Sequence, residues 1–294
     1  DSVKNSFLPI AARSLSAVPQ WTDSGNVMKY KYCLIAWTTL TLLYALSSAA
    51  VGQNMAFDPR DLSGIWGGVG GGGGEVPFGP NMPPMTPEGL ALYLQNIPTE
   101  SDDPRVKAAS DPALSNDPTF TCNPRGFPRT LYDTNVRLFE IIYLEGRILQ
   151  LLQRDRTLRE MWMDGRALPA GEDLDNIGPS WYGHSVARWQ GDELIVTTVG
   201  LDERAWLDMT GHVKSPGARV EERYKRVEAD TIQHDMTLYD TAYYTEPWVA
   251  ETRIFKREPP ERITYFGWHG LFSGVTDLMC APMNFIDTLK NREN

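Results

Sequence analysis

The chain has 294 residues, of which 41% are hydrophobic, 11% aromatic and 22% charged, with a formal net charge of −10 at pH 7. That composition belongs to a folded globular protein, with enough apolar material for a sizeable core. The acidic balance and the lack of clustered Lys and Arg exclude a nucleic-acid surface, which has to neutralise phosphates.

Met28 begins the pattern of a secretory signal. Lys29 and Lys31 form a basic start, Leu34 to Leu46 is mostly apolar, and the small residues Ser47-Ser48-Ala49-Ala50 lead to Val51-Gly52. The apolar run falls short of the ~20 residues that span a bilayer. Residues 1–27 therefore read as an upstream leader and 28–52 as a signal peptide cleaved after Ala49 or Gly52. Residues 53–294 are expected to form a single exported domain with no integral membrane span, the alternative being a retained membrane anchor. Cleavage removes Lys4, Arg13, Lys29 and Lys31 against Asp1 and Asp23, making the remainder still more acidic. Cys33 leaves with the signal, and Cys122 and Cys280 remain. In an oxidising compartment these two are expected to form a disulfide, the alternative being two buried thiols.

Along the exported part, Asp61-Leu-Ser-Gly-Ile-Trp66 opens the first strand. Gly67-Gly68 and Gly70 to Gly74 follow. Without strand–turn–helix context or a Gly-Lys-Ser/Thr ending, that tract reads as a flexible loop, not a phosphate cradle. Thr86-Pro87-Glu88 is a helix start with a Thr cap and Pro in the first turn. Leu90, Tyr93, Leu94 and Ile97 then fall on one face, and Pro98 ends the helix. From Thr99 to Arg129 the Pro-, Asp-, Asn- and Ser-rich chain reads as an extended loop covering the surface.

Strands dominate afterwards: Val136–Leu144, Arg147–Gln153, Thr157–Met163, Ser185–Trp189, Leu194–Val199, Val220–Arg226, Thr231–Tyr239, Trp248–Phe255 and Arg262–Trp268. Glu145-Gly146, Asp164-Gly165 and Gln190 to Glu193 supply turns. In Thr231–Tyr239, Ile232, His234, Met236 and Leu238 share one face. Short, closely spaced strands with hairpin turns and one short helix predict a mainly β protein, an antiparallel barrel preceded by a long N-terminal loop.

Gly64-x-Trp66 resembles the opening motif of the lipocalin superfamily, in which the Trp plugs one end of an eight-stranded, calycin-type barrel. More of the chain resembles an uncharacterised family of exported bacterial proteins with a lipocalin-like look. The matching segments are Asn116-Asp117-Pro118, Cys122-Asn-Pro-Arg-Gly-Phe-Pro-Arg129, Met163-Asp-Gly-Arg166, Gly183-His-Ser-Val-Ala-Arg-Trp-Gln-Gly-Asp192 with Leu194 to Gly200, Trp206-Leu-Asp208 with Gly211-His212 and Ser215, Glu222-Arg223, and Tyr244-Thr-Glu-Pro-Trp248. The resemblance implies a bacterial periplasmic or secreted barrel and carries no activity with it. Where such proteins often have a second histidine before Ser215, this chain has Lys214.

Candidate chemistry concentrates in residues 179–226. Gly183-His184-Ser185-Val186-Ala187 approaches a nucleophile elbow, but it runs into a hairpin where the elbow needs a helix, so Ser185 reads as a strand residue. His184 and His212 flank Asp208, and a His184–Asp208 acid–base pair is the catalytic candidate, with His212 beside it. Structural histidines bonded to backbone are the alternative. Asp208 and His212 would face each other only on a helix. No His-Glu-x-x-His or paired-Cys spacing appears, so neither a metal site nor any cofactor is expected. Trp181, Tyr182, Trp206, Tyr244 and Trp248 are the candidate ligand-lining aromatics, though such rings equally fill barrel cores. The leading expectation is an exported barrel holding a small apolar or amphipathic ligand. An acid–base hydrolase, isomerase or dehydratase on the same barrel, and a non-catalytic envelope interaction protein, are the alternatives.

Overall fold

A computed structural model describes residues 57–68, 82–101, 103–132, 138–152 and 157–258. Ten strands form one sheet: β1 (Gly64–Gly68), β2 (Leu138–Leu144), β3 (Arg147–Leu152), β4 (Thr157–Trp162), β5 (His184–Gln190), β6 (Glu193–Val199), β7 (Arg219–Glu228), β8 (Thr231–Tyr239), β9 (Trp248–Val249) and β10 (Arg253–Arg257). Neighbours follow chain order from β1 to β9, while β10 pairs with both β1 and β8. The result is a closed nine-stranded barrel, as the strand pattern predicts, with β9 continuing the sheet along β8.

A closed ring whose strands alternate in direction needs an even number of them. Nine strands therefore force one parallel neighbour pair, and it is β4–β5. Every other pairing is antiparallel. A parallel pair cannot be joined by a hairpin, so the chain crosses over through residues 163–183. The two strands meet only at Met161–Ser185 and Trp162–Val186. This seam departs from the wholly antiparallel barrel expected from sequence.

Three further differences have local causes. The expected strand Trp248–Phe255 is broken into β9 and β10 because one extra residue bulges between Val249, opposite Thr237, and Arg253, opposite His234. A second short helix, α2 (Glu172–Ile177), lies in the crossover between Gly171 and Gly178. Its acidic first turn suits a helix N-terminus, but it buries no residue, so it lacks apolar periodicity. The loop before Arg129 does more than cover the surface: it folds through three short 3-10 turns and inserts Phe127 and Leu131 into the core. The buried pair Arg129–Asp117, with contacts of 3.0 and 2.6 Å, fixes it.

The other helix, α1 (Pro87–Tyr93), is capped as its sequence predicts, with the Gly89 amide donating to Thr86 Oγ1 at 3.1 Å. It stops at Tyr93, short of Pro98, and Leu94 is exposed. Trp66 is fully buried, its indole N–H donating to the Leu62 carbonyl at 2.8 Å beneath the Arg257 guanidinium. The period-2 alternation of the strands sends Phe139, Ile141, Ile148, Leu152, Met161, Leu194, Val196, Val220, Ile232, Met236 and Leu238 into the core. The chain divides at Asn54, and every described residue lies in the compact unit Met55–Asn294. The leader, the signal-like segment, the Arg262–Trp268 strand and Cys280 fall outside the described residues.

Candidate functional site

The seam between β4 and β5 opens a pocket of about 450 Å³ under the crossover. Strand alternation explains its wall. Leu158, Glu160 and Trp162 from β4 and His184 and Val186 from β5 point outward into it, while Arg159 and Ser185, on the inward faces, reach it through the gap. The crossover supplies Arg166, Ala167, Pro169 and Ile177. Leu158 and Ile177 are 49% and 55% exposed, so the pocket presents apolar side chains to solvent. Two guanidinium groups pack against Trp162, Arg166 at 3.5 Å and Arg147 at 5.0 Å from its ring centroid. Asp164 anchors Arg166 through contacts of 2.6–3.0 Å.

His184 sits on the pocket wall with Nε2 donating to the Gly178 carbonyl at 2.9 Å. A carbonyl can only accept, so in the neutral ring Nδ1 carries the lone pair, available to a ligand donor. Gly183 lets β5 begin here: it has φ +66°, and a Cβ would lie 2.6 Å from Thr198 Cγ2 and 2.7 Å from the Val199 carbonyl oxygen.

Behind the seam lies a polar cluster that sequence reasoning did not assemble. Arg159, 1% exposed, donates to Glu222 (2.5 and 3.2 Å), Thr198 (2.8 Å), Ser185 (3.2 Å) and Gln150 (3.2 Å). Its guanidinium lies 3.9 Å over the Phe127 ring. Glu222 Oε1 also accepts from the Tyr224 hydroxyl at 2.7 Å and contacts His234 Nε2 at 3.2 Å. Burial by itself would raise the Glu222 carboxyl, but the charge of Arg159 and hydrogen bonds from His234 and Arg159 lower it to about 2. Burial, reinforced by the Glu222 charge, pushes the Tyr224 phenol well above its usual value. Arg159 and Glu222 offset one another's charge, and the cluster organises the barrel around the inner end of the pocket. A signal for it exists in the sequence: Gln150 and His234 each interrupt an otherwise apolar strand face.

The structure does not bring the catalytic candidates together as His184 with Asp208. His184 bonds to Gly178, whereas Asp208 Oδ2 meets His212 Nδ1 at 2.5 Å in the β6–β7 loop. No helix is needed, contrary to the expectation from i, i+4 spacing. Asp208 Oδ1 accepts from the Thr210 amide, the Thr210 hydroxyl and the His212 amide, which folds the loop back on itself. Ser185 is buried, its hydroxyl 2.9 Å from that of Thr198.

Among the five aromatic candidates, Tyr182 lines the pocket, its hydroxyl 3.0 Å from Thr157 and 3.3 Å from Thr130. Trp181 packs on the core's edge under Arg204. Trp206, Tyr244 and Trp248 are buried away from it, with Tyr244 and Trp248 5.3 Å apart and the Tyr244 hydroxyl donating to Val213. Cys122 occupies the left-handed cap of a 3-10 turn (φ 63°). Among the described residues no group of three or more His, Cys, Asp or Glu could hold a metal ion, and no helix is long and apolar enough to cross a membrane. Comparisons with family models, curated proteins and solved structures each returned no match.

Proposed function

We propose that this protein is an exported bacterial barrel that holds a small amphipathic molecule in the pocket at the β4–β5 seam. The observation carrying this reading is the pocket itself: about 450 Å³ walled by exposed Leu158 and Ile177 beside polar groups of His184 and Arg166. That volume suits a small organic ligand, and a few directed polar groups on an apolar wall are what such sites use for orientation. The polar end of the ligand meets His184 Nδ1, and its apolar body lies against Leu158, Val186 and Ile177. Export through residues 28–52 and a Cys122–Cys280 bridge belong to the same proposal.

The test is native mass spectrometry of the chain exported to a bacterial periplasm, beside Val186→Trp. Val186 points out of the barrel, so an indole there fills the pocket without entering the core. Adduct mass lost on denaturation should accompany the wild type and be absent from Val186→Trp. An adduct retained equally by both would place the ligand elsewhere and end this proposal.

A further inference from the structure

We infer that Asp208 and His212 form a second, separate site, a general acid–base dyad. Three geometric facts carry it. First, Asp208 is fully buried and His212 Nδ1 lies 2.5 Å from its Oδ2. An ionised carboxylate can only accept, so the Nδ1 proton points at Asp208 and the lone pair of the neutral ring sits on Nε2. Secondly, the ring is clamped: Tyr93 stacks on it at 4.7 Å with a 7° interplanar angle, and Trp248 meets it edge-on at 5.1 Å. Thirdly, Nε2 has no partner among the described residues and is not sealed, since the side chain keeps 10% of its surface open. A purely structural histidine would be expected to spend both nitrogens on the protein, as buried polar groups do. His212 spends one and holds out the other.

Burial by itself would raise the Asp208 carboxyl, but the charge of His212 and donation from His212 and Thr210 hold it below the usual range. The carboxylate thus stays ionised at neutral pH and orients the imidazole, the arrangement by which a histidine acts as a base through its outer nitrogen. The other ionisable groups around the ring are Tyr93 from α1, Asp103 with its partner Arg105, and Tyr244.

The reaction class that needs nothing beyond these groups is hydrolysis of a small activated ester or lactone. Nε2 takes a proton from water, the water oxygen bonds to the acyl carbon, the acyl C–O bond breaks, and the imidazolium returns the proton to the leaving alkoxide. Acid and alcohol are the products, and nothing is oxidised. Asp208 is a positioning residue here, since it acts through His212.

The test uses p-nitrophenyl acetate and diethyl pyrocarbonate on the whole exported protein. His212→Gln should lower the protein-dependent hydrolysis of p-nitrophenyl acetate at least tenfold with an unchanged melting curve. Asp208→Asn should lower the rate at neutral pH at least tenfold with the fold kept, because Oδ1 retains its three donors and the new amide NH2, in the place of Oδ2, donates to Nδ1 and moves the ring proton to Nε2. It should also slow acylation of His212 by diethyl pyrocarbonate while leaving that of His184 unchanged, which loss of a merely structural carboxylate would not do. If either variant fails to fold, acylation of the wild type by diethyl pyrocarbonate, mapped by peptide mass, decides. His212 should react at least tenfold faster than the fully buried His234. Wild-type hydrolysis by folded His212→Gln, or a His212 as unreactive as His234, overturns the inference.

Discussion

A single lysine shows how burial without an ion pair alters a residue. Lys214 is 1% exposed and donates to the carbonyl of Ala205, with no carboxylate in contact among the described residues. Burial lowers its ammonium to about 7; Arg129 adds to the shift, and Asp202, Asp240 and Glu203 oppose it. The folded pKa therefore lies below the unfolded value of 10.5. Between the two the unfolded chain binds more protons, so this group makes stability rise with pH from about 7 to about 10.5. Lys214→Met removes that contribution. In urea unfolding, the variant should exceed the wild type most at pH 7, and the gap should narrow by pH 9.5. A gap independent of pH would contradict the assignment.

At the scale of elements, six strands converge on one charge cluster. Arg159 comes from β4, Glu222 and Tyr224 from β7, Ser185 and Thr198 from β5 and β6, and Gln150 and His234 from β3 and β8. Removing one member of a buried pair leaves the other uncompensated, at a cost of about 3–5 kcal/mol. Glu222→Gln and Arg159→Met should each destabilise by that amount in denaturant melts. The double variant should fall well short of the sum, because each single change already forfeits the same contact. Additive losses would show that the pair is not coupled. Linkage gives the same pair an acid signature. With Glu222 at about 2 when folded against 4.5 unfolded, its contribution is present above about 4.5 and is lost as pH falls towards 2. Glu222→Gln should flatten stability across that window.

For the molecule as a whole, most of the barrel is legible in the sequence because its rules are local. Two-residue turns such as Glu145-Gly146, and the alternation of Ile232, His234, Met236 and Leu238, specify hairpins and faces without knowledge of the partner strand. The parallel seam is not local. It follows from closing nine strands, and no residue near Met163 announces that the chain will cross over instead of turning back. The candidate site shares that limit. His184 and Tyr182 stand out as chemistry-bearing residues, but Arg159 lies on β4, whose apolar Leu158 and Trp162 face outward, so its inward direction is evident only from the closed barrel. Asp208 and His212 were both visible, whereas their contact depends on a loop folded by the hydrogen bonds of Asp208 itself.

The central claim, that the seam binds a small amphipathic molecule, is tested most directly by titrating wild type and Val186→Trp with the fluorescent aromatic sulfonate 1-anilinonaphthalene-8-sulfonate. Saturable binding of one dye per wild-type chain, weakened at least tenfold by Val186→Trp at equal thermal stability, is the predicted result. Equal dye binding by both proteins, or none by the wild type, would contradict a ligand site at the β4–β5 seam.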